Sequence, residues 1–298
     1  MTYTNILIVS NLSGTRKAEE IFRKARSRFD EDAKELFLSR TERSYVESLA
    51  KKYDGFDNVI GIGGGVAVDV AKFIGAKGNA KVTAFPTIIS TDCMFTSSTA
   101  VREEGMVKYI PTKKPDELII DYDILLEAPY HLNAFGWGDV LSIHTALWDW
   151  KLSAKETGER YDDEVAEVAR DILSKACRVD EKKGLATLIE CLRSEVELCD
   201  GFGNSRPEEG SEHLFVYLLE NYLREPHPHG ELVANGIYEM SKLQKNDVEK
   251  ICRVMDEIGL PYRPEDARIA SKTINRVISE LPAYVKKHKY FYSIVDKL

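Results

Sequence analysis

The chain has 298 residues, 43% hydrophobic and 30% charged, which is enough for one large or two ordinary domains, each with its own core. The net charge of −8 and the pI near 5.5 exclude a general nucleic-acid binder, because affinity for a phosphate backbone comes from clustered Lys and Arg. No apolar run approaches the ~20 residues of a membrane span. The start lacks signal-peptide features and the five cysteines lack zinc-finger spacing, so we expect a cytoplasmic protein with reduced thiols.

The first half of the chain alternates predicted strands and helices. Apolar, β-branched runs predict the strands, and apolar residues at helical spacing predict the helices. The predicted strands are residues 5–10, 35–38, 58–61, 81–85 and 118–121, and the predicted helices are residues 15–29, 41–53 and 66–75. This order predicts a mostly parallel, doubly wound sheet, in which ligands bind beyond the carboxyl ends of the strands.

The second half differs, because from about residue 133 onward we find helical patterns and no convincing strand. Clusters of Gly and Pro separate the candidate helices. These candidates are residues 165–177, 185–198, 214–223, 230–243, 247–258 and 265–281. The sequence therefore predicts an α/β domain over residues 1–130 followed by an all-α domain over residues 131–298.

A glycine-rich turn follows the third predicted strand and opens a helix. It contains Gly63, Gly64 and Gly65, with Asp69 and Lys72 behind it. Glycines let backbone N–H groups approach a phosphate closely, and the helix N-terminus adds a favourable dipole. Its place after the third strand differs from an ordinary Rossmann site, and a glycine bend for close packing is the alternative. We predict that the turn binds the phosphates of a nucleotide.

Three of the six histidines, His213, His227 and His229, lie close together in the sequence. Two histidines from consecutive helices can converge on one metal, and a carboxylate can complete a three-ligand site with an open position. Asp139 is the most plausible carboxylate, at a point where we expect a loop to enter the helical domain. Histidines on a helix surface or in a loop, without a metal, are the alternative, and spacing alone does not decide between them.

Five short motifs occur in one order along the chain. They are Gly-Gly-Gly-x3-Asp-x2-Lys at 63–72, Pro-Thr-x2-Ser-x-Asp at 86–92, Gly-Asp at 138–139, Gly-Ser-Glu-His at 210–213 and His-Gly at 229–230. In this order they resemble the metal-dependent, iron-containing alcohol and polyol dehydrogenases related to dehydroquinate synthase. Within that group the chain most resembles the glycerol-1-phosphate dehydrogenases. The resemblance implies a nucleotide-binding domain over 1–130 and a metal-binding domain over 131–298, with the metal in the cleft between them.

The resemblance also implies a role for each matching residue. Asp139, His213 and His229 would hold a divalent metal, which we expect to be Zn2+, and would count with Asp92 as catalytic residues. Asp92 would contact substrate hydroxyls near the metal. His227 is the second choice as a ligand, because only His229 precedes the glycine of the motif. The residues implied to bind NAD(P) are Gly63, Gly64, Gly65 and Asp69, with Thr87 and Ser90 on the nicotinamide side.

The implied activity is the NAD(P)(H)-dependent interconversion of a small ketone and a secondary alcohol. The substrate we expect is a phosphorylated ketone or polyol, and the best match is dihydroxyacetone phosphate to sn-glycerol 1-phosphate. A dehydroquinate synthase-like cyclase, a dehydrogenase for another polyol or alcohol, and a non-enzymatic relative are the alternatives. The oligomeric state is left open, a homo-oligomer included.

Several positions depart from the family pattern. Cys93, Met94 and Phe95 follow Asp92 where the family usually has glycine, and we expect them to reshape the substrate pocket. Residues 215–218 stand where relatives often carry another histidine.

Two further sets of residues bear on the ligands. Arg40 and Arg43 after the second strand predict that the 2′-phosphate of NADP(H) is accepted, unless they only belong to a solvated helix start. Lys72, Lys108 and Arg206 are the candidates for binding a substrate phosphate, with plain surface charge as the alternative.

Overall fold

A computed structural model of the chain describes residues 5–11, 14–104, 106–178, 184–223 and 227–298. Its contacts divide into two compact units, Met1–Asn133 and Ala134–Leu298. In the described ranges, no helix combines the length and the apolar character needed to cross a bilayer.

The first unit is an α/β fold. Its strands are β1 (Ile6–Ser10), β2 (Lys34–Phe37), β3 (Asn58–Gly63), β4 (Lys81–Pro86), β5 (Ser98–Glu103), β6 (Met106–Pro111) and β7 (Glu117–Leu118). Its helices are α1 (Arg16–Arg26), α2 (Arg43–Lys52), α3 (Gly65–Gly78), α4 (Tyr122–Glu127) and α5 (Tyr130–Ala134), the last of which reaches the first residue of the second unit. Four of the five strands predicted for the main sheet are present nearly as predicted, and the fifth, β7, ends at Leu118 and not at residue 121.

The main sheet is parallel and has the order β2-β1-β3-β4-β7. The chain winds outward in one direction from β1 to β2 and in the other from β3 onward. The strand order therefore reverses between β1 and β3, and ligands of open α/β sheets bind at such a reversal. The glycine-rich turn begins at Gly63, the last residue of β3, and so lies at this point.

Alternating side chains of the central strands bury both faces of this sheet. Leu7 and Val9 of β1 pack in one core with residues of α2 and α3. Ile8 packs in a second core with residues of α1 and with Ile124 of α4. Helices on both faces make the sheet doubly wound, and the predicted fold class is confirmed.

The antiparallel hairpin of β5 and β6 was not predicted. It pairs Ser98 with Pro111 at its open end and Glu103 with Met106 near the turn. Strand β5 has the sequence Ser-Thr-Ala-Val-Arg-Glu, with few large apolar residues, and no residue of β6 is fully buried. The pair therefore carries little of the hydrophobic alternation from which strands are predicted.

The second unit is helical, and its described residues contain no strand, as predicted. Its helices are α6 (Trp137–Thr157), α7 (Asp163–Ala176), α8 (Gly184–Phe202), α9 (Ser211–Leu219), α10 (His229–Gln244), α11 (Val248–Glu257) and α12 (Ser271–His288). Two short 3-10 helices cover Glu220–Tyr222 and Ile294–Lys297. Helix α12 starts later than predicted, because residues 264–269 form turns in which Arg268 has a positive φ of 55°.

Helix α6 was missing from the predicted helices, and the loop expected at Asp139 is wrong. The helix starts at Trp137, so Asp139 lies in its first turn. Thirteen of its 21 residues are buried, on every side of the helix. A helix buried all round has no apolar stripe, which is the pattern that predicts most helices.

Candidate active site

The glycine-rich turn has the shape of a phosphate cradle. Gly63 ends β3 with a φ of +153°, and a Cβ there would lie 2.8 Å from the Cβ of Ala67. Gly64 is the N-cap of α3, and no side chain of the cap residue accepts the first N–H groups of that helix. Because first-turn N–H groups lack helical partners, they can bind an anion. These residues fit the pyrophosphate of a dinucleotide.

The loop after β4 lies against this turn. The backbone N–H of Thr87 donates to the carbonyl of Gly63 at 2.9 Å, and both Thr87 and Ser90 are half-buried. The side chain of Asn133 fixes the middle of the loop by accepting the N–H of Ile89 at 2.8 Å. The structure therefore brings Thr87 next to the glycines, as a shared cofactor site requires.

Asp69 and Lys72 form a buried ion pair on α3. The Lys72 ammonium donates to Asp69 Oδ1 at 2.9 Å, to the Cys93 carbonyl at 2.7 Å and to Thr96 Oγ1 at 3.3 Å. An ammonium has three donors, so all of them are used. Asp69 Oδ2 accepts the N–H of Ala100 at 3.0 Å. Both groups thus fasten α3 to the loop that carries Asp92 and to β5.

The residues after Asp92 belong to the interior of the first unit. Cys93, Met94 and Phe95 are all buried, and the Phe95 N–H donates to the Asp92 carbonyl at 2.8 Å. Burial, together with the negative charge of Asp69, raises the pKa of the Cys93 thiol far above its usual range. Cys93 is therefore a protonated packing residue and not a reactive thiolate.

The second unit brings Asp139, His213 and His229 together. Asp139 lies in the first turn of α6, His213 in α9, and His229 is the first residue of α10. One donor atom from each lies within 4.8 Å of the others, and His229 Nε2 is 3.7 Å from Asp139 Oδ1. Metal–ligand bonds of ~2.0–2.2 Å place tetrahedral donors roughly 3–4 Å apart. One carboxylate and two imidazoles at this spacing fit a divalent transition metal.

Two glycines beside the ligands allow this approach. A Cβ on Gly138 would lie 2.4 Å from the Gly230 carbonyl oxygen, and a Cβ on Gly230 would lie 1.8 Å from the Phe135 carbonyl oxygen. The ends of α6 and α10 therefore touch backbone to backbone. Asp139 follows Gly138 and His229 precedes Gly230, so the contact between the two glycines holds these residues near each other.

His213 is oriented by the residue before it. Its Nδ1 lies 2.9 Å from Oε1 of Glu212, which is fully buried. The same oxygen accepts the N–H of Gly210 at 2.6 Å. A carboxylate on Nδ1 fixes the tautomer and ring plane of a metal-binding histidine and leaves Nε2 for the metal.

The charges around the two histidines favour a cation. Burial opposes the protonated form of His213, but Glu209, Glu212 and Glu208 together raise its pKa to about 10. Burial, with the charge of His213, lowers the pKa of His229 to about 3. The same carboxylates that hold a proton on His213 would stabilise a divalent metal in its place.

His227, the second choice as a ligand, is oriented differently. Its Nδ1 lies 3.2 Å from Glu231 Oε2, one turn into α10. His227 is not a member of the three-residue cluster. Among the described residues, that cluster is the only group of this kind with metal-binding spacing.

Arg206 is a buried structural residue in the second unit. Its guanidinium makes two bonds to Glu159, at 3.1 and 2.9 Å, and one to the Tyr292 carbonyl at 2.8 Å. Phe291 stacks on it at 4.2 Å. Arg206 is thus engaged through Nε and Nη2, whereas its Nη1 is buried without a hydrogen-bond partner.

Asp149 is a buried carboxylate near the proposed ligands in the chain's second unit, and the sequence assigned no role to it. It is fully buried and accepts the N–H groups of Ser211 at 2.8 Å and Ile294 at 2.7 Å. Burial raises its pKa to about 6. An Asp-Trp pair in a helix gives no sign of these contacts, because both partners are more than 60 residues away.

Comparison with known proteins agrees with this geometry. Residues 2–129 match the model of a family described as iron-containing alcohol dehydrogenase. A glycerol-1-phosphate dehydrogenase [NAD(P)+] from Sulfolobus acidocaldarius is 34% identical over 248 residues, which cover 81% of this chain and 70% of the relative. Its counterpart from Sulfurisphaera tokodaii is 32% identical, over 80% and 69%. The chain belongs to the glycerol-1-phosphate dehydrogenase family.

Solved structures with the same fold extend the comparison. A probable glycerol dehydrogenase from Sinorhizobium meliloti superposes with a TM-score of 0.71 at 21% identity, over 94% of this chain and 82% of that one. An iron-containing alcohol dehydrogenase from Corynebacterium glutamicum gives 0.67 at 14% identity, over 98% and 84%. The fold is thus shared well beyond the glycerol-1-phosphate dehydrogenase family. That family consists of NAD(P)-dependent and metal-dependent enzymes.

Proposed function

We propose that this protein is a metal-dependent NAD(P)(H) oxidoreductase that interconverts dihydroxyacetone phosphate and sn-glycerol 1-phosphate. The observation that carries the proposal is the convergence of Asp139, His213 and His229, with donor atoms within 4.8 Å, in a chain of the glycerol-1-phosphate dehydrogenase family. The same spacing in an unrelated helical protein would indicate a metal site but not this reaction.

The three residues would hold the metal, and we propose Zn2+. Zn2+ prefers a set of nitrogen and carboxylate ligands with one open position, which is the set that Asp139, His213 and His229 offer. When bound, such an ion polarises a carbonyl oxygen and stabilises the developing alkoxide. The buried carboxylate of Glu212 keeps the His213 ring in the tautomer this requires.

The glycine-rich turn would hold the dinucleotide. Gly63, Gly64 and Gly65 present the uncapped N-terminus of α3 to the pyrophosphate, and Thr87 and Ser90 would line the nicotinamide side. Asp92 would contact the substrate hydroxyls, and its loop is fixed by Lys72. Asp69 would then support the site through Lys72 and not by touching the cofactor.

Whether the protein has a cation available to bind a substrate phosphate distinguishes two candidate substrates. Two of the three candidate cations are engaged within the protein, Lys72 by three hydrogen bonds and Arg206 by Glu159. Lys108, half-buried on β6, is the third. This engagement favours, as a second candidate, an unphosphorylated ketone such as dihydroxyacetone.

The test is to supply Zn2+ and NADPH or NADH to the purified protein and to follow the absorbance of the reduced nicotinamide. We expect oxidation with dihydroxyacetone phosphate and a much lower kcat/KM with dihydroxyacetone. The reverse ranking would support the second candidate. Phosphate release without net cofactor oxidation would point to a cyclase, and no turnover with bound metal and nucleotide would contradict an enzymatic role.

Cofactor preference is tested by the same assay. Arg40 is exposed after β2 and stacks on Tyr45 at 4.5 Å, whereas Arg43 pairs with Glu47 and Glu103, both at 3.0 Å. We propose that Arg40 faces the 2′-phosphate, so Arg40→Ala should raise the KM for NADPH and leave that for NADH unchanged. A strong preference of the wild type for NADH would contradict this.

A further inference from the structure

A buried carboxylate that the proposed chemistry does not use ties the metal-binding helices together. Asp149 lies on α6, the helix that carries Asp139 in its first turn. Its Oδ2 accepts the N–H of Ser211, the first residue of α9, and its Oδ1 accepts the N–H of Ile294. Ser211 lies two residues before His213. One side chain therefore joins the helices of two proposed ligands to the 3-10 helix Ile294–Lys297.

The start of α9 depends on these acceptors because it is buried. The first N–H groups of a helix have no partner within the helix. At α9, the N–H of Gly210 donates to Glu212 and that of Ser211 donates to Asp149. Ser211, Glu212 and Asp149 are all 0% exposed. Water cannot replace an acceptor at such a depth, so loss of Asp149 would leave the N–H of Ser211 without an acceptor.

Arg206 makes a second set of contacts with the segment that contains Ile294. Arg206, a few residues before α9, donates to the Tyr292 carbonyl at 2.8 Å and stacks on Phe291. Asp149 binds Ile294 at 2.7 Å. Residues 291–294 are therefore held at two points against the segment that leads into α9.

We propose that Asp149 is a positioning residue of the metal centre, which sets the place of His213 relative to Asp139, and that residues 291–294 are part of this support. The inference rests on the proposed function only in taking Asp139, His213 and His229 as metal ligands. It requires that metal affinity depend on hydrogen bonds that touch neither the metal nor a ligand side chain.

The test uses two variants that remove the support by different routes. Asp149→Asn keeps the shape of the side chain but replaces one acceptor oxygen with an amide that faces an N–H donor. Ile294→Pro removes the N–H that binds Asp149 and leaves the Asp149 side chain in place, although it also replaces the isoleucine side chain and fixes φ. Proline is tolerated at the first position of a helical turn, and the preceding Ser293 is extended at φ −151° and ψ −172°, which suits it. Ile294→Val is the matched control, because it shortens the side chain and keeps the N–H.

The measurement is the Zn2+ affinity of the full chain, by competition with a chromophoric chelator in the absence of substrate. We expect Asp149→Asn and Ile294→Pro to weaken binding by about 10- to 100-fold, the range seen for residues that orient metal ligands. Ile294→Val should bind as the wild type does. NADPH affinity, which belongs to the first unit, should be unchanged in all three, and a cooperative urea transition with the wild-type helical circular dichroism signal reports that the second unit is folded.

The outcomes separate the two proposals. If the folded Ile294→Pro and Asp149→Asn variants bind Zn2+ as tightly as the wild type, the positioning role is wrong and the proposed function stands. If the wild type itself binds no divalent metal, the proposed metal site fails and this inference fails with it. If Asp149→Asn does not fold, Ile294→Pro alone decides.

Discussion

Two histidines separated by one residue have different surroundings in this protein. His229 lies beside Asp139 and His213, whereas His227 contacts Glu231. The motif predicts His229 as the ligand from the glycine that follows it, and the structure supplies the physical reason. Only with Gly230 at this position can the start of α10 touch the backbone before α6.

The two histidines therefore make a matched pair of substitutions. His229→Ala should abolish tight Zn2+ binding and reduce kcat by at least about 1,000-fold, because a ligand is lost and the Lewis acid with it. His227→Ala should keep the metal and most of the activity. Metal content after dialysis and steady-state kinetics check both, and the assignment is wrong if His227→Ala loses the metal and His229→Ala keeps it.

The charge on His213 predicts how metal binding depends on pH. Burial works against the protonated ring, but Glu209, Glu212 and Glu208 outweigh it, and the folded pKa of about 10 lies above the ordinary value near 6.5. The protonated ring thus stabilises the metal-free fold fully below pH ~6.5, and this stabilisation is lost as the pH rises through the folded pKa.

Because a ligand imidazole must be neutral, Zn2+ has to displace this proton. We expect Zn2+ affinity to rise with pH between 6.5 and 8.5, by up to about tenfold per pH unit, with the release of about one proton from His213. Calorimetry in two buffers of different ionisation enthalpy measures the proton. A Zn2+ affinity independent of pH over this range would contradict the prediction, and Glu209→Gln should make the dependence weaker.

At the level of single residues, local sequence indicated the proposed ligands, which the structure brings together, but not the residues that support them. Asp139, His213 and His229 each stand in a short motif, and the structure places them together. The partners of Lys72, by contrast, include a carbonyl 21 residues away, and Arg206 reaches a carbonyl 86 residues away. Such contacts leave no local pattern, so only the fold shows that these cations are engaged.

At the level of elements, predictability followed how each element is buried. Strands β1, β3 and β4 are buried runs of apolar residues and were predicted almost to the residue. Helices with one apolar face, such as α1 and α11, were also predicted. Helix α6, surrounded by other helices, and the half-exposed β5–β6 hairpin were not, because neither has an amphipathic period.

The contact between α6 and α10 can be tested with one methyl group. Gly230→Ala would place a Cβ 1.8 Å from the Phe135 carbonyl oxygen, and backbone cannot yield as a flexible side chain can. We expect the free energy of unfolding to fall by about 3 kcal/mol or more, with loss of metal affinity.

The control for this substitution is another helical glycine. Gly201 lies in α8 with open space where a Cβ would stand, and its φ is not positive. Gly201→Ala should therefore change the free energy of unfolding by less than about 1 kcal/mol, in the stabilising direction. Urea denaturation measures both, and similar losses in the two variants would contradict the role of the contact.

At the level of the whole molecule, the two kinds of site residue belong to different units. The glycines and the loop after β4 are in Met1–Asn133, and all three proposed metal ligands are in Ala134–Leu298. Each unit has its own core, so damage to one binding site need not reach the other.

This separation predicts a reciprocal result. Gly63→Ala should weaken NADPH binding at least about tenfold, because its φ of +153° strains any other residue and a methyl would meet Ala67. Its Zn2+ affinity should be that of the wild type. His213→Ala should show the opposite pattern, which fluorescence titration and chelator competition reveal. Loss of both ligands in either variant would mean that the sites are not independent.

The burial of Lys72 also makes it a natural reporter of motion. An amine reacts with an acylating reagent only when it is exposed and unprotonated, and the ammonium of Lys72 is 0% exposed with every hydrogen engaged. Its modification in the native protein therefore requires that residues 91–96 first move away. Under conditions in which reclosing outpaces the reagent, the labelling rate gives the free energy of that opening, as amide exchange does for a helix. The labelling rate of Lys72 would thus show whether a bound nucleotide raises the free energy needed to open the loop that carries Asp92.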